Sequence, residues 1–281
     1  MTDSMRKDDG RSLIMEFHYT VAAQTDRGIV KEVNQDSLTV KVADTAYGET
    51  ALAVLCDGMG GLEQGEVASG VVVHTFEQWF MKEFPALLER GMQSKALAGA
   101  WKNMIDDCNL RIHDYSSRRG TTMGTTLTVM MINNGSYYIA HVGDCRAYRM
   151  DTAITRLTQD HTYTEREVAL GHMTPEQAQN DSRRSVLLQC IGLGKPVEPD
   201  FISGRIKQGD SYLLCSDGFR NRLSEEEIFT YCHCDLYDLD WSAANRHENA
   251  RLMNARLGEL IALNKQRMEK DNISAVMIKI S

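Results

Sequence analysis

Only four prolines occur in 281 residues, and no stretch rich in Pro, Gly or Ser interrupts the chain. Without such a linker the sequence reads as one domain over residues 13–281, behind a polar, mobile tail at 1–12. No apolar run approaches the roughly 20 residues that span a bilayer, and the start MTDSMRKDDG lacks the apolar segment of a secretory signal. A cytoplasmic protein that does not enter membranes is therefore expected, and a monomer. The seven cysteines are scattered and odd in number, which fits reduced thiols better than a disulfide framework. Cys232 and Cys234 flank His233, but no second Cys/His pair is spaced to complete a tetrahedral zinc site. A nucleotide hydrolase would need a Gly-rich loop ending in Lys and Ser or Thr, and there is none. Bases are in the minority: 31 Lys and Arg face 39 Asp and Glu, for a net charge of -8. That balance argues against a nucleic-acid partner, and a substrate carrying phosphate would need locally placed cations.

What the chain does have is aspartate at the ends of apolar, strand-like runs: Asp36, Asp57, Asp144, Asp217 and Asp271. Two of these settings are near copies, LAVLCDGMGG (Leu52 to Gly61) and YLLCSDGFRN (Tyr212 to Asn221), each read as a strand that Asp-Gly turns. One Asp-Gly alone is an ordinary turn. Five acids in comparable settings suggest a carboxylate cup, because like charges crowded into one cleft raise each other's pKa unless cations offset them. Mg and Mn prefer such hard oxygen donors. Asp57 is the best candidate to bridge two ions, since Gly58 lets its own carbonyl approach as well.

Alternating strands are predicted in IMEFHYTVAAQT and DSLTVKVA, on either side of a turn-rich link at 26–35. Val67, Val71, Val72, Phe76, Trp79 and Phe80, then Leu97, Trp101, Met104, Ile105, Cys108 and Ile112, recur at helical spacing. Strands return in TTLTVMMI and in YYIAHVGDCRAYRM, where Gly143 and Asp144 read as a tight hairpin between pairing flanks. Residues 161–199 are polar and mixed, like an insertion or flap, with a short helix opened by Thr174 and Gln177 in capping-box spacing. A last strand pair around Asp217, a helix capped by Ser224 with Glu227, a long helix through Leu252, Leu257 and Ile261, and a closing strand ISAVMIKI complete the chain. Strands and helices come in blocks, which favours an α+β fold of antiparallel sheets covered by helices.

The segments GIVKEVNQDS, LCDGMGG, GTTMGTTLTV, IAHVGDCRAYR, LTQDHTY, LLCSDGF and DNISAVMIKI stand in an order that resembles the metal-dependent protein phosphatases of type 2C, the PPM family, over nearly the whole chain. The resemblance implies a four-layer α-β-β-α sandwich, two antiparallel sheets flanked by helices, with the metal cleft at one end. It implies a bacterial-type serine/threonine phosphatase that hydrolyses phosphoserine and phosphothreonine on proteins, opposed to a serine/threonine kinase, by direct attack of a water bridging two Mg or Mn ions. By the same resemblance Asp57 bridges the ions with Gly58 lending its carbonyl, Asp217 and Asp271 complete one shell, Asp36 supports the site, and Asn272 steadies the turn at Asp271. Asp144 resembles the acid that, with Asp217, holds a third and weaker ion.

Several positions depart from that pattern. Lys31 stands where an Arg that contacts substrate phosphate is usual, exchanging a planar two-pronged donor for a point charge, and Arg27 is a possible substitute. Met59 stands where eukaryotic relatives place a His and has no proton to donate; His141 is a weaker alternative, read chiefly as structural. Arg220 and Asn221 replace small or acidic residues and are expected at the cleft rim. Cys145 replaces a common Ser. None of the cysteines has the setting of a phosphatase nucleophile, and Cys56 and Cys215 read as core. The alternative reading is a catalytically weak relative that binds phosphoprotein or a regulatory partner.

Overall fold

The computed structural model describes residues 17–60, 64–233 and 239–281; the tail at 1–12 and Cys234 lie outside the described residues. One sheet holds β1 (Tyr19–Asp26), β7 (Arg146–Met150), β8 (Ile154–Arg156), β10 (Ser211–Cys215) and β11 (Ile273–Ile280), in the order β1-β11-β10-β7-β8. The other holds β2 (Asp36–Thr45), β3 (Gly48–Gly60), β5 (Leu127–Asn133), β6 (Ser136–Val142) and β9 (Asp200–Arg205), in the order β2-β3-β5-β6-β9, with the short β4 (Met123–Thr125) added at the end of β3. All ladders are antiparallel.

Period-two alternation sorts side chains between layers. Along β3, Ala51, Ala53 and Leu55 face Tyr212, Leu214, Val276 and Ile278 across the gap between the sheets. Leu52, Val54 and Cys56 face the other way, onto α1 (Gly65–Lys82), α2 (Phe84–Glu89) and α3 (Ser94–Ser117) through Val72, Phe76, Trp79 and Trp101. On the far side Leu213, Cys215, Ala275 and Met277 meet Ile228 of α7 (Glu225–Cys232) and Met253, Leu257 and Leu260 of α8 (Arg246–Gln266). Three apolar layers thus separate helices, sheet, sheet and helices: the four-layer sandwich that the motifs imply. Among the described residues no helix is long and apolar enough to cross a membrane.

The segment 161–199 carries α4 (Tyr163–Ala169) and α5 (Pro175–Asn180). Thr174 with Gln177, and Ser224 with Glu227, form reciprocal capping boxes at the starts of α5 and α7. Arg183 in this segment is engaged with Asp181 and stacks over Tyr163.

Three local expectations are corrected. Gly143 and Asp144 do not close a hairpin: β6 pairs with β5 and β9, whereas β7 pairs with β10 and β8, so the chain crosses from one sheet to the other there. Gly143 makes the crossing at φ +109°, and a Cβ on it would meet Thr126 Cγ2 at 2.5 Å. Asp57-Gly58 does not turn the chain; β3 runs on and Gly58 pairs with Thr125 of β4. Glycine is needed there for close approach, since a Cβ would stand 2.2 Å from the Gly65 carbonyl oxygen. After Asp217 comes a helical turn, α6 (Asp217–Arg220), and no strand.

Candidate metal centre

Every predicted acid stands at one end of the sandwich. Asp36 opens β2 directly across from Asp57 in β3, Asp217 follows β10, Asp271 precedes β11, and Asp144 lies in the crossing from β6 to β7. Antiparallel pairing makes this one end: Cys215 is in register with both Ala275 and Arg146. Asp36 and Asp144 are buried, whereas Asp57, Asp217 and Asp271 keep some solvent access.

The backbone around Asp57 is fixed from three sides. Its N–H donates to Thr126 Oγ1 at 2.8 Å, and its carbonyl accepts from Thr126 N–H at 2.9 Å and from Thr125 Oγ1 at 3.0 Å. Gly58 N–H donates to the Gln35 carbonyl, which also accepts from Ser69 Oγ. Thr125 and Thr126 belong to the GTTLTV segment, where nothing in local pattern marks their role; only the fold brings them under Asp57.

Burial is the largest cause raising the pKa of these acids, and their mutual repulsion follows. It lifts Asp36 to about 7, with Asp217 and Asp271 adding to it. Asp57 is held well above the carboxylate range by burial, then by Asp36, Asp217, Asp144 and Asp271. Asp144 is raised to about 7 by burial and Asp217, with Arg220 pulling the other way. Burial raises Asp217 too, against the opposing charge of Arg220. Acids that perturb one another in this way share a site.

The donor set fits a hard divalent cation. Every donor is oxygen, and both carboxylate oxygens of Asp36 and Oδ1 of Asp217 are buried with no hydrogen-bond partner. The Ser216 and Ser274 hydroxyls lie close enough to temper the Asp36 charge; Ser274 Oγ also pairs with Thr25 Oγ1 at 2.7 Å, and Ser216 Oγ accepts from Ser274 N–H at 3.0 Å. Among the described residues no three acids, histidines or cysteines stand where they could together hold a metal ion as placed. Mg and Mn retain several waters and use few direct carboxylates, so a cluster of unpartnered oxygens is the more telling feature.

Lys31 Nζ lies 2.9 Å from Asp271 Oδ1. Burial lowers the Lys31 pKa, but Asp271, with Asp57 and Asp217 behind it, outweighs burial and leaves it raised, so the ammonium stays charged. Arg27 is exposed, with Nη1 3.4 Å from the Glu32 carbonyl of its own loop. Asn272 ties that loop to the acid turn: its Nδ2 donates to the carbonyls of Arg27 at 3.0 Å and Val33 at 3.2 Å, and its Oδ1 accepts from Gln35 N–H at 2.9 Å. The loop tied in this way is the one that carries Lys31. Asn272→Ala is expected to cost about 2–3 kcal/mol in urea unfolding, about 1 kcal/mol for each buried bond lost. A change below about 0.5 kcal/mol, the range of ordinary surface substitutions, would show that the loop is held by other contacts.

Arg220 is not at the rim. Its side chain is only 15% exposed and turns beneath the acids, beside Asp160, which Arg146 also grips. This buried Arg146–Asp160–Arg220 group left no signal in the sequence beyond the motifs that contain it, because nothing local to an Arg tells whether it is buried. His141 is fully buried, with Nδ1 on Thr128 Oγ1 and Nε2 on the Gln159 carbonyl, and burial lowers its pKa to about 4. It is a structural residue. Burial likewise pushes up the thiols of Cys56, Cys145 and Cys215, which pack as core. A cavity lined by Leu97, Trp101, Tyr138, Phe201 and the hydroxyl residues Ser94 and Ser203 lies against α3 and contains no acid.

The protein phosphatase 2C family model matches residues 24–262. The chain is 33% identical to the serine/threonine protein phosphatase PstP of Mycobacterium tuberculosis over 208 residues, 74% of this chain but 37% of that protein, so it spans little more than a third of that relative. It is 32% identical to the serine/threonine phosphatase stp of Listeria monocytogenes over 209 residues, 73% of this chain and 79% of that protein. Among solved structures, the catalytic domain of PstP in complex with two manganese ions superposes with a TM-score of 0.73 at 28% identity, covering 94% of this chain and 99% of that one. With the family model matched over most of its length, the chain belongs to the protein phosphatase 2C family.

Proposed function

We propose that this chain is a divalent-metal-dependent protein phosphatase that removes phosphate from phosphoserine and phosphothreonine of proteins, acting against a serine/threonine kinase, as a monomer. The observation that carries this reading is the set of unpartnered carboxylate oxygens on Asp36 and Asp217, within a cluster of acids that perturb one another at one end of the sandwich. Asp57, Asp217, Asp271 and the Gly58 carbonyl would hold two Mg or Mn ions, with Asp36 supporting them. Bound there, such ions would supply Lewis acidity that lowers the pKa of water and offsets phosphoryl charge. Asn272 and the Asp57 backbone hold the ligands in register. Lys31 brings a charged donor to the substrate phosphoryl oxygens, for which it exchanges Asp271. Met59 and His141 take no part in proton transfer: one has no proton to give and the other is bonded at both ring nitrogens.

Hydrolysis of p-nitrophenyl phosphate and of a phosphothreonine peptide with Mn, with and without chelator, tests the assignment; no metal-dependent turnover would leave the binding role in its place. The Lys31–Asp271 pair is what favours that second reading, since substrate must displace it. Lys31→Ala is expected to lower kcat/KM for the phosphopeptide about 10–100-fold, chiefly through KM, in keeping with the loss of one charged hydrogen bond of about 1.5–3 kcal/mol. Lys31→Arg should retain or improve KM. An unchanged KM in Lys31→Ala would remove Lys31 from the phosphate site and leave Arg27 as the candidate.

A further inference from the structure

A cation already lies against the backbone of Asp144. α6 is a single helical turn that Asp217 opens, so Arg220 stands one turn on, and its side chain folds back under the same strand ends. Its Nη2 donates to the Asp144 carbonyl at 3.2 Å and lies 3.3 Å from Asp160 Oδ2. Its Nε is buried without a hydrogen-bond partner. Asp160 is shared, because Arg146 also holds it with two prongs, Nε at 2.9 Å and Nη2 at 2.8 Å. Arg220 is the leading cationic influence on both Asp144 and Asp217. A guanidinium is charged at any accessible pH and is weakly hydrated, so it tolerates such a place where an ammonium would be drawn to water.

We infer that Arg220 is the resident counter-cation of Asp144 and Asp217, standing in for the third, weakly held ion that the family resemblance implies there, so that the chain saturates at two divalent ions. The inference rests on the metal-dependent reading above. A further divalent ion beside Asp144 would meet a fixed positive charge on its inner side, and like charges at short range in a half-dry site repel strongly. The charge balance agrees. Asp36, Asp57, Asp144, Asp160, Asp217 and Asp271 present six negative charges, against three on Lys31, Arg146 and Arg220. Two divalent ions leave a surplus of one positive charge, ready for a phosphoryl dianion; three would leave a surplus of three.

The test is Mn bound per chain, counted by equilibrium dialysis with elemental analysis at millimolar Mn, on the whole protein. Wild type is expected to bind two. Arg220→Gln, which keeps hydrogen-bonding capacity but not charge, is expected to bind a third at least about tenfold more tightly than wild type, and adding Asp144→Asn should remove it. A wild-type count of three, falling to two in Asp144→Asn, would overturn the inference whether or not Arg220→Gln folds. So would a count of two in Arg220→Gln with native circular dichroism. Asp57→Asn separates the underlying reading: if it loses tight Mn, the metal-dependent assignment stands whatever happens at Arg220. If wild type binds none, both fall.

Discussion

The Asp57→Asn variant is expected to lose at least about three orders of magnitude in Mn-dependent turnover of a phosphothreonine peptide, equivalent to some 4 kcal/mol of barrier, together with tight Mn binding. Asn matches Asp in shape, and the backbone bonds to Thr125 and Thr126 do not involve the carboxylate, so the fold should persist. The effect comes from charge. Asp57 is the acid on which Asp36, Asp217, Asp144 and Asp271 all bear, so it sits where charge from several strands converges, and a neutral amide there leaves a cation without its central partner. Turnover above about a tenth of wild type, with Mn affinity unchanged by calorimetry, would mean that Asp57 is not the bridge; a tenfold change corresponds to only 1.4 kcal/mol.

The second large effect concerns the metal-free protein. A carboxylic acid whose folded pKa is raised takes up its proton at a pH where the unfolded chain is still ionised. It therefore favours the folded state at low pH and penalises it increasingly as pH rises from the unfolded value through the folded one. For Asp36 that window runs from 3.8 to about 7. Above it the penalty is complete, on the order of 4–5 kcal/mol at about 1.4 kcal/mol for each pKa unit, and shared with its coupled neighbours. Asp36→Asn in chelator at pH 8 is accordingly expected to be more stable than wild type by about 3 kcal/mol, a rise in Tm on the order of 6–10 °C for a chain of this size. The gain should shrink toward zero near pH 4, and Mn should raise the Tm of wild type more than that of the variant. His141 acts in the opposite sense, since its depressed pKa removes stability as pH falls from 6.5 toward about 4, but it cancels when the two proteins are compared at the same pH. A less stable Asp36→Asn at pH 8 would show that hydrogen bonds from Ser216 and Ser274 outweigh repulsion.

Much of the architecture was legible along the chain. The helical spacing of Val72, Phe76, Trp79 and Trp101 marks the faces that pack on β3, and the Thr174 and Ser224 caps mark two helix starts, because these are contacts between near neighbours in sequence. The acids were legible for the same reason, since each ends or begins an apolar run. What failed was pairing. YYIAHVGDCRAYRM reads as a hairpin, yet its halves lie in opposite sheets, because a strand's own residue pattern does not say which strand it joins.

Residue types, element kinds and the positions of the five aspartates at strand ends were therefore determined by the sequence itself, through periodicities that act over a few residues. The tertiary structure alone decided that β2, β3, β10, β11 and the β6–β7 crossing share one end, that Gly58 serves close approach and makes no turn, that Lys31 reaches Asp271, and that Arg220 lies under the acids. Those outcomes depend on which distant segments bury each other, and a charged side chain can be buried only where the rest of the fold supplies its partner.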